Sequence, residues 1–168
     1  GYRSDTGEIV GIKANSTVLA TGGPGELYSR TLNPVGSTGY GGSLGLRAGA
    51  EVVDMEFVQF YPMMVSEAGL PKIFLDYPPL LKNGAIVVNS QGDDIMKKRG
   101  IAEPYKLTRD AFSIIMSQEM RGTSGELPIY LDCTKVSATA PEDAFVSNMM
   151  KNLEGRGVPV RTRKFGIS

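Results

Sequence analysis

The chain has 168 residues, with 18 Lys and Arg against 18 Asp and Glu, no His and one Cys. Its length suits a domain with a hydrophobic core, and its zero net charge without a long basic run argues against nucleic-acid binding. The lack of His excludes a Ser-His-Asp triad and a His-ligated zinc site in this sequence, one Cys excludes an internal disulfide, and we expect no metal site. No apolar run approaches the ~18 residues of a membrane span, and the single Cys favours an intracellular, cytoplasmic location.

The N-terminal part predicts two short strands followed by a glycine-rich stretch. Residues 9–12 follow a turn, and residues 17–20 form an apolar run without alternation, which is typical of a strand buried on both faces. Seven glycines then fall within residues 16–42. They either let backbone N–H groups approach a phosphate or a flat ring, or they only form tight turns. Composition alone leaves both interpretations open.

The central part predicts a helix, an extended segment and a hairpin. Residues 42–48 place apolar side chains four apart and are followed by Gly49, which indicates a short helix. Residues 52–65 are rich in β-branched and aromatic side chains but contain a proline, so we expect a strand or an extended segment. An apolar strand at residues 85–88 and a turn at residues 89–92 predict a hairpin.

The C-terminal part predicts two helices and one strand. The first helix covers residues 106–122, with Thr108 as its N-cap. Its predicted apolar face consists of Leu107, Ala111, Ile114, Ile115 and Met120. A strand is expected at residues 127–134, and a second helix at residues 140–157 with Pro141 in its first turn. Because strands and helices are mixed irregularly, the predicted class is α+β.

Two features are interpreted as parts of the hydrophobic core rather than as metal-binding or reactive sites. The Met doublets at residues 63–64 and 149–150 suit packing better than metal ligation. Cys133 follows an apolar strand, which indicates a buried, unreactive thiol.

Five separate stretches carry a family resemblance through their order. They are VLATGG (18–23), NPVGSTGYG (33–41), RAGAEVVDMEFVQFYP (47–62), GAIVVNSQGDDIM (84–96) and LTRDAF (107–112). Together they resemble the flavoprotein subunit of the succinate dehydrogenase, fumarate reductase and L-aspartate oxidase family. The resemblance implies an FAD-dependent oxidoreductase. It identifies the chain as an internal fragment, in which the end of an FAD-domain segment (residues 1–45) precedes the capping domain (residues 46–168).

The same resemblance assigns roles to individual residues. Its cofactor-binding positions are Thr21, Gly22, Gly23, Thr38 and Gly39. The implied cofactor is FAD, which we do not expect the fragment to retain. The family passes a hydride between the flavin and a substrate carbon–carbon bond, and the arginine that handles the proton matches Arg109. Its substrate contacts match Gln59, Phe60 and Tyr61. Without the resemblance, the residues favour a surface arginine near a helix N-terminus, where a positive charge is slightly unfavourable.

Three departures from the family pattern concern the pocket. Tyr61 replaces the histidine of the family's Q-F-H-P, and a tyrosine carries no positive charge at pH 7. Tyr40 replaces the carboxylate of T-G-D-G. The family's T-E-x-x-R segment falls on residues 77–81, which have none of its polar groups. We therefore expect a larger or less charged substrate than succinate or fumarate, or a different electron partner.

The expected partners follow from this interpretation. They are a small-molecule substrate and the rest of the FAD-binding domain, with an electron-transfer subunit left open. The alternative function is a free-standing α+β binding or interaction module without catalysis, in which the glycines only form turns.

Overall fold

The computed structural model describes residues 1–122, 125–126, 128–137 and 143–168. These residues form two compact units, Gly1–Glu56 and Phe57–Ser168. Helices and short strands alternate irregularly along the second unit, in agreement with the predicted α+β class. The units divide after Glu56, whereas the sequence placed a domain boundary after residue 45. In the described part of the chain, no helix is long and apolar enough to cross a membrane.

The first unit contains helix α1 (Tyr40–Arg47). Gly39 precedes the helix with a φ of 72°, and Gly49 follows it with a φ of 89°. Both values lie in the left-handed region, which glycine adopts without steric strain. The helix therefore lies within two residues of its predicted position and is bounded by glycines on both sides.

The two strands predicted for the first unit are wrong. Residues 9–12 and 17–20 lie in no strand, and the described pairing there is a bridge between Tyr2 and Ile9. Val18 is 88% exposed rather than buried. A strand buried on both faces needs neighbouring strands and cover on each side, and residues 1–56 supply neither. Residues 17–20 therefore have a composition that favours a strand, but no neighbouring strand within residues 1–56 pairs with them.

The second unit contains the remaining helices and all five strands found in the described residues. In chain order the helices are α2 (Tyr77–Lys82), α3 (Ile95–Lys98), α4 (Arg109–Met120) and α5 (Ala144–Gly155). The strands are β1 (Ile86–Val88), β2 (Arg121–Gly122), β3 (Gly125–Glu126), β4 (Ile129–Asp132) and β5 (Phe165–Ile167).

A three-stranded antiparallel sheet in the order β1–β4–β5 forms the centre of this unit. Leu131 on the central strand lies opposite Val87 on one side and Phe165 on the other. All three side chains are fully buried, because residues opposite one another across a sheet point to the same face. The row of three forms one wall of the core, and the strand predicted for residues 127–134 is confirmed by β4.

The outer edge of β5 pairs with the segment that precedes α2. Val65 bridges to Ile167, and Met64 and Ser168 exchange two backbone hydrogen bonds of 3.0 and 3.2 Å. The extended segment predicted for residues 52–65 therefore joins the sheet only at its C-terminal end.

Helix α4 buries a stripe that the sequence analysis did not single out, although Leu107, Ile115 and Met120 of the predicted face also pack against the core. Its buried residues are Phe112 and Met116, whereas Ile114 is 56% exposed. Each helical residue turns about 100°, so two residues four apart share a face and the residue between them points away. The predicted face was wrong at Ile114 because the pattern contains two adjacent apolar stripes.

The predicted hairpin is confirmed at β1 and its turn but not in the return strand. Gly92 in the turn has a φ of 89°, and Val88 then bridges to Asp94 alone. The Asp94 carboxylate accepts hydrogen bonds from the N–H groups of Met96 and Lys97, each 3.0 Å long. This N-cap starts α3 directly after the turn.

Of the residues interpreted as core, Met63, Met64, Met150 and Cys133 are buried, whereas Met149 is only partly buried against the core. Met63, Met150 and Cys133 have no exposed surface, and burial raises the pKa of the Cys133 thiol to about 12. Helix α5 buries Val146, Met150 and Leu153 along one face. Pro141, predicted for the first turn of that helix, lies outside the described residues.

Candidate functional site

Arg109 is the first residue of α4 and is exposed. A positive charge at a helix N-terminus is unfavourable by a few tenths of a kcal/mol, so this position needs local compensation. Asp110 supplies a negative charge in the same turn. Hydrogen bonds from the Thr108 hydroxyl, then from backbone N–H groups, lower the pKa of Asp110 and keep it ionised.

Two side chains from the segment before Pro62 hold the Arg109 guanidinium. Its Nη1 donates a hydrogen bond of 3.1 Å to Gln59 Oε1. Its central carbon lies 5.1 Å from the centroid of the Tyr61 ring, within the range of a cation–π contact. Gln59 and Tyr61 are two apart, and both side chains contact the same guanidinium. The structure therefore brings together Gln59, Tyr61 and Arg109, which the resemblance singled out.

Tyr61 is itself fixed by a carboxylate that the sequence analysis missed. Its hydroxyl donates a hydrogen bond of 2.8 Å to Asp76 Oδ1. Its ring lies 4.3 Å from the ring of Phe74, centroid to centroid. Burial, and then the hydrogen bond to Asp76, raise the pKa of Tyr61, so the hydroxyl remains a donor at neutral pH. We call Gln59, Tyr61, Asp76 and Arg109 the Arg109 cluster.

Tyr77 connects helix α2 to the start of α4. Its ring stacks on that of Phe112 with 4.2 Å between centroids, and its hydroxyl donates a 2.9 Å hydrogen bond to the Leu107 carbonyl. Burial raises the pKa of this hydroxyl. Tyr77, Leu80 and Leu81 all belong to the hydrophobic core. The apolar side chains at residues 77–81 therefore fill the core, rather than indicating a larger pocket.

A surface cavity of about 690 Å³ adjoins Arg109. Its lining residues are Val58, Gln59, Phe60, Thr108, Arg109, Asp110, Ser113 and Ile114. This volume falls in the usual range for small-molecule sites, and the lining combines apolar surface with a few polar groups. Phe60, predicted as a substrate contact, lies in this lining.

The predicted cofactor-binding residues lie in the first unit. They are Thr21, Gly22, Gly23, Thr38 and Gly39. A Cβ added at Gly41 would lie 1.7 Å from Thr21 Oγ1, and one added at Gly39 would lie 2.8 Å from the Pro24 Cβ. These glycines are required because one part of the chain packs closely on another. The same contacts bring Thr21 beside the start of α1 and therefore close to Thr38 and Gly39.

Gly22 and Gly23 have no such packing reason. A Cβ added at either residue would meet nothing within 4 Å, and Gly22 has a φ of 76°. An open main-chain surface beside a threonine hydroxyl suits the phosphates or the flat ring of FAD, so the residues present fit this cofactor. In the described part of the chain, no group of three His, Cys, Asp or Glu side chains could hold a metal ion.

The sequence contained a weak signal for Asp76 and none for its contact with Tyr61. An aspartate directly before Tyr-Pro-Pro indicates a helix N-cap, which Asp76 is by position. Its bond to Tyr61 spans 15 residues and depends on how α2 packs, which no local pattern reveals.

Comparison with known proteins places these observations in a family. Residues 2–161 match the family described as FAD binding domain. The L-aspartate oxidase of Mycobacterium tuberculosis is 39% identical over 132 residues, which cover 77% of this chain and 24% of that protein. An uncharacterized FAD-dependent oxidoreductase of Methanocaldococcus jannaschii is 31% identical over 166 residues, covering 97% of this chain and 30% of that protein.

A third relative carries a different enzyme name. The succinate dehydrogenase flavoprotein subunit of Rickettsia bellii is 35% identical over 124 residues, covering 74% of this chain and 20% of the subunit. The chain thus spans about a quarter of the length of the curated relatives it matches. The family resemblance drawn from the ordered motifs is confirmed: this chain belongs to the FAD binding domain family, together with the L-aspartate oxidases and succinate dehydrogenase flavoproteins.

Proposed function

We propose that this chain contributes the substrate-side groups of an FAD-dependent oxidoreductase, with Arg109 as the residue that binds the substrate and handles its proton. The observation that supports the proposal most directly is the position of Arg109, exposed at a 690 Å³ cavity and held by Gln59 and Tyr61. When bound, the flavin would supply hydride transfer to or from a substrate carbon–carbon bond.

Arg109 can combine binding and proton transfer because of its shape. A guanidinium has five N–H donors in a fixed plane, and one of those of Arg109 goes to Gln59. The contact with the Tyr61 ring fixes that plane. Donors on the same plane can then bind a substrate oxygen and present a proton to the reacting carbon. An arginine keeps its proton at neutral pH, so this role requires prompt reprotonation after each transfer.

The charges around the cavity favour a substrate with fewer than two carboxylates. Among the described lining residues, Arg109 carries the one positive charge and Asp110 carries a negative charge. Tyr61 adds no charge, and its hydroxyl proton is directed at Asp76. A dicarboxylate bound here would lack charge-assisted hydrogen bonds worth about 1.5–3 kcal/mol each. We therefore propose a substrate with one carboxylate or none, less charged than succinate or fumarate.

The two units have different roles in this proposed function. In the proposal, the first unit belongs to the FAD-binding domain and places Thr21, Gly22 and Gly23 against the cofactor. The second unit is the capping domain and carries the Arg109 cluster. The alternative, a binding module without catalysis, receives no support from the family match or from the named relatives.

The substitution Arg109→Lys in the full-length protein tests this proposal. Lysine keeps the charge but replaces the planar fork with a single ammonium group, so it cannot hold a substrate and a proton in one plane. We expect turnover to fall by about 10²–10⁴-fold, with flavin content unchanged. Arg156→Lys, at the C-terminal end of α5, is the matched control. Turnover of Arg109→Lys at the rate of the control would make Arg109 an ordinary surface residue and refute the proposal.

A further inference from the structure

We infer that Asp76 is a positioning residue for this reaction, acting on Arg109 through the hydroxyl of Tyr61. The inference rests on the proposed function of Arg109 and adds a residue to which neither the family pattern nor the comparisons give a role. Three observations support it.

The first observation is that the Asp76 carboxylate does not cap helix α2. Asp76 occupies the N-cap position of α2, where an aspartate ordinarily accepts a hydrogen bond from a backbone N–H of the first helical turn. Here the side chain makes no capping bond, because the second and third helical residues, Pro78 and Pro79, have no N–H to donate. Asp94, at the N-cap of α3, caps its helix with two such bonds. The Asp76 carboxylate is instead bonded to Tyr61.

The second observation is that Asp76 is held firmly relative to α4. Its neighbour Tyr77 is 2% exposed, stacks on Phe112 within α4 and donates to the Leu107 carbonyl two residues before Arg109. These contacts tie the start of α2 to the start of α4. A carboxylate on this support occupies a defined position with respect to Arg109.

The third observation is that Tyr61 relays that position. Its hydroxyl donates a hydrogen bond to Asp76, and its ring provides the flat surface that contacts the guanidinium. Loss of the hydrogen bond to Asp76 would leave the ring held by its contacts with Phe74 and Tyr77, whose centroids lie 4.3 and 6.0 Å away, and would let it tilt. Since the guanidinium lies 5.1 Å from the ring centroid, a tilt of the ring displaces the reacting N–H groups.

A double-mutant cycle in the full-length protein tests the inference. Asp76→Ala removes the acceptor, and Tyr61→Phe removes the donor but keeps the ring. We expect each to lower kcat by about 10- to 100-fold, the usual effect of a misplacement near 1 Å, with flavin content unchanged. The double variant should lose no more than either single one, because both break the same contact. Asp76→Asn, which keeps an acceptor oxygen at the same place, should recover most of the loss.

A control separates positioning from stability. Asp94→Ala removes an N-cap aspartate with a purely structural role, so it should lower the midpoint of thermal unfolding without lowering kcat. Additive losses in the cycle, or full kcat in Asp76→Ala, would overturn the inference. Loss of kcat in Asp76→Asn equal to that in Asp76→Ala would also overturn it, since the acceptor would then be irrelevant. If Arg109→Lys lowers turnover and the losses in the cycle are additive, the role of Asp76 is refuted and the proposed function stands. If Arg109→Lys leaves turnover unchanged, the proposed function itself is refuted.

Discussion

Two adjacent glycines in the first turn of α1 offer a sharp test of the first unit. Gly41 and Gly42 both lie in the helix and neither has a positive φ, and replacing a helical glycine by alanine stabilises a helix by roughly 0.5–1 kcal/mol. Only Gly41 faces another part of the chain. An added Cβ there would lie 1.7, 2.7 and 2.9 Å from Oγ1, Cβ and Cγ2 of Thr21.

The three distances determine the size of the effect. All side-chain heavy atoms of Thr21 lie within 3 Å of the new carbon, so rotating its side chain does not relieve the overlap and the backbone must move. Overpacking of this kind costs about 1–3 kcal/mol, which exceeds the gain in helix propensity. Gly41→Ala should therefore destabilise the protein by up to about 2 kcal/mol. Gly42→Ala meets nothing within 4 Å and should stabilise it slightly.

The assay compares these two variants in the full-length protein. Urea unfolding gives the change in free energy, and flavin absorbance of the purified protein gives the cofactor content. Because Thr21 is a proposed cofactor contact, Gly41→Ala should also weaken flavin binding, whereas Gly42→Ala should not. Equal stability and equal flavin content in the two variants would refute the packing of Thr21 on α1 and the role assigned to it.

Two further predictions concern the second unit. Tyr77→Phe keeps the stack on Phe112 but removes the hydrogen bond to the half-buried Leu107 carbonyl, so urea unfolding should show a loss of about 1 kcal/mol in stability. Tyr105→Phe is the control, because the Tyr105 hydroxyl donates to the exposed Glu103 and its removal should change stability little. Equal losses in the two variants would contradict this prediction. Steady-state assays of the full-length protein should show faster turnover of monomethyl fumarate than of fumarate by about 10- to 100-fold, the value of one charge-assisted hydrogen bond. A preference for fumarate would refute the charge argument.

The order of short motifs was sufficient to predict the family, because each motif combines glycines and polar residues that a core would not require. The same motifs singled out Gln59, Tyr61 and Arg109 as substrate-side residues, and the structure brings them together. Helices α1, α4 and α5 could be located because their apolar spacing and flanking glycines are local signals.

The failures all involve interactions between distant residues. The strand expected at residues 17–20 requires neighbouring strands that residues 1–56 do not provide. The lack of polar groups at residues 77–81 was interpreted as a sign of a larger or less charged substrate, because the sequence does not show that Tyr77 stacks on Phe112. Asp76 was missed for the same reason, since its position depends on that stack. Local patterns predicted the elements, and the packing of α2 determined the site.

The pairing of Met64 with Ser168 bears on how the second unit can be combined with other proteins. Two backbone hydrogen bonds of 3.0 and 3.2 Å join these residues, although 104 positions separate their numbers, 168 − 64. A chain segment whose first and last residues are paired can be grafted into a surface loop of a host domain without forcing the ends of that loop apart. Closing the host chain around such a graft costs little additional conformational entropy, since the fold itself already holds the ends together. Exchange of residues 64–168 between related flavoproteins would therefore need two junctions at a single place in space.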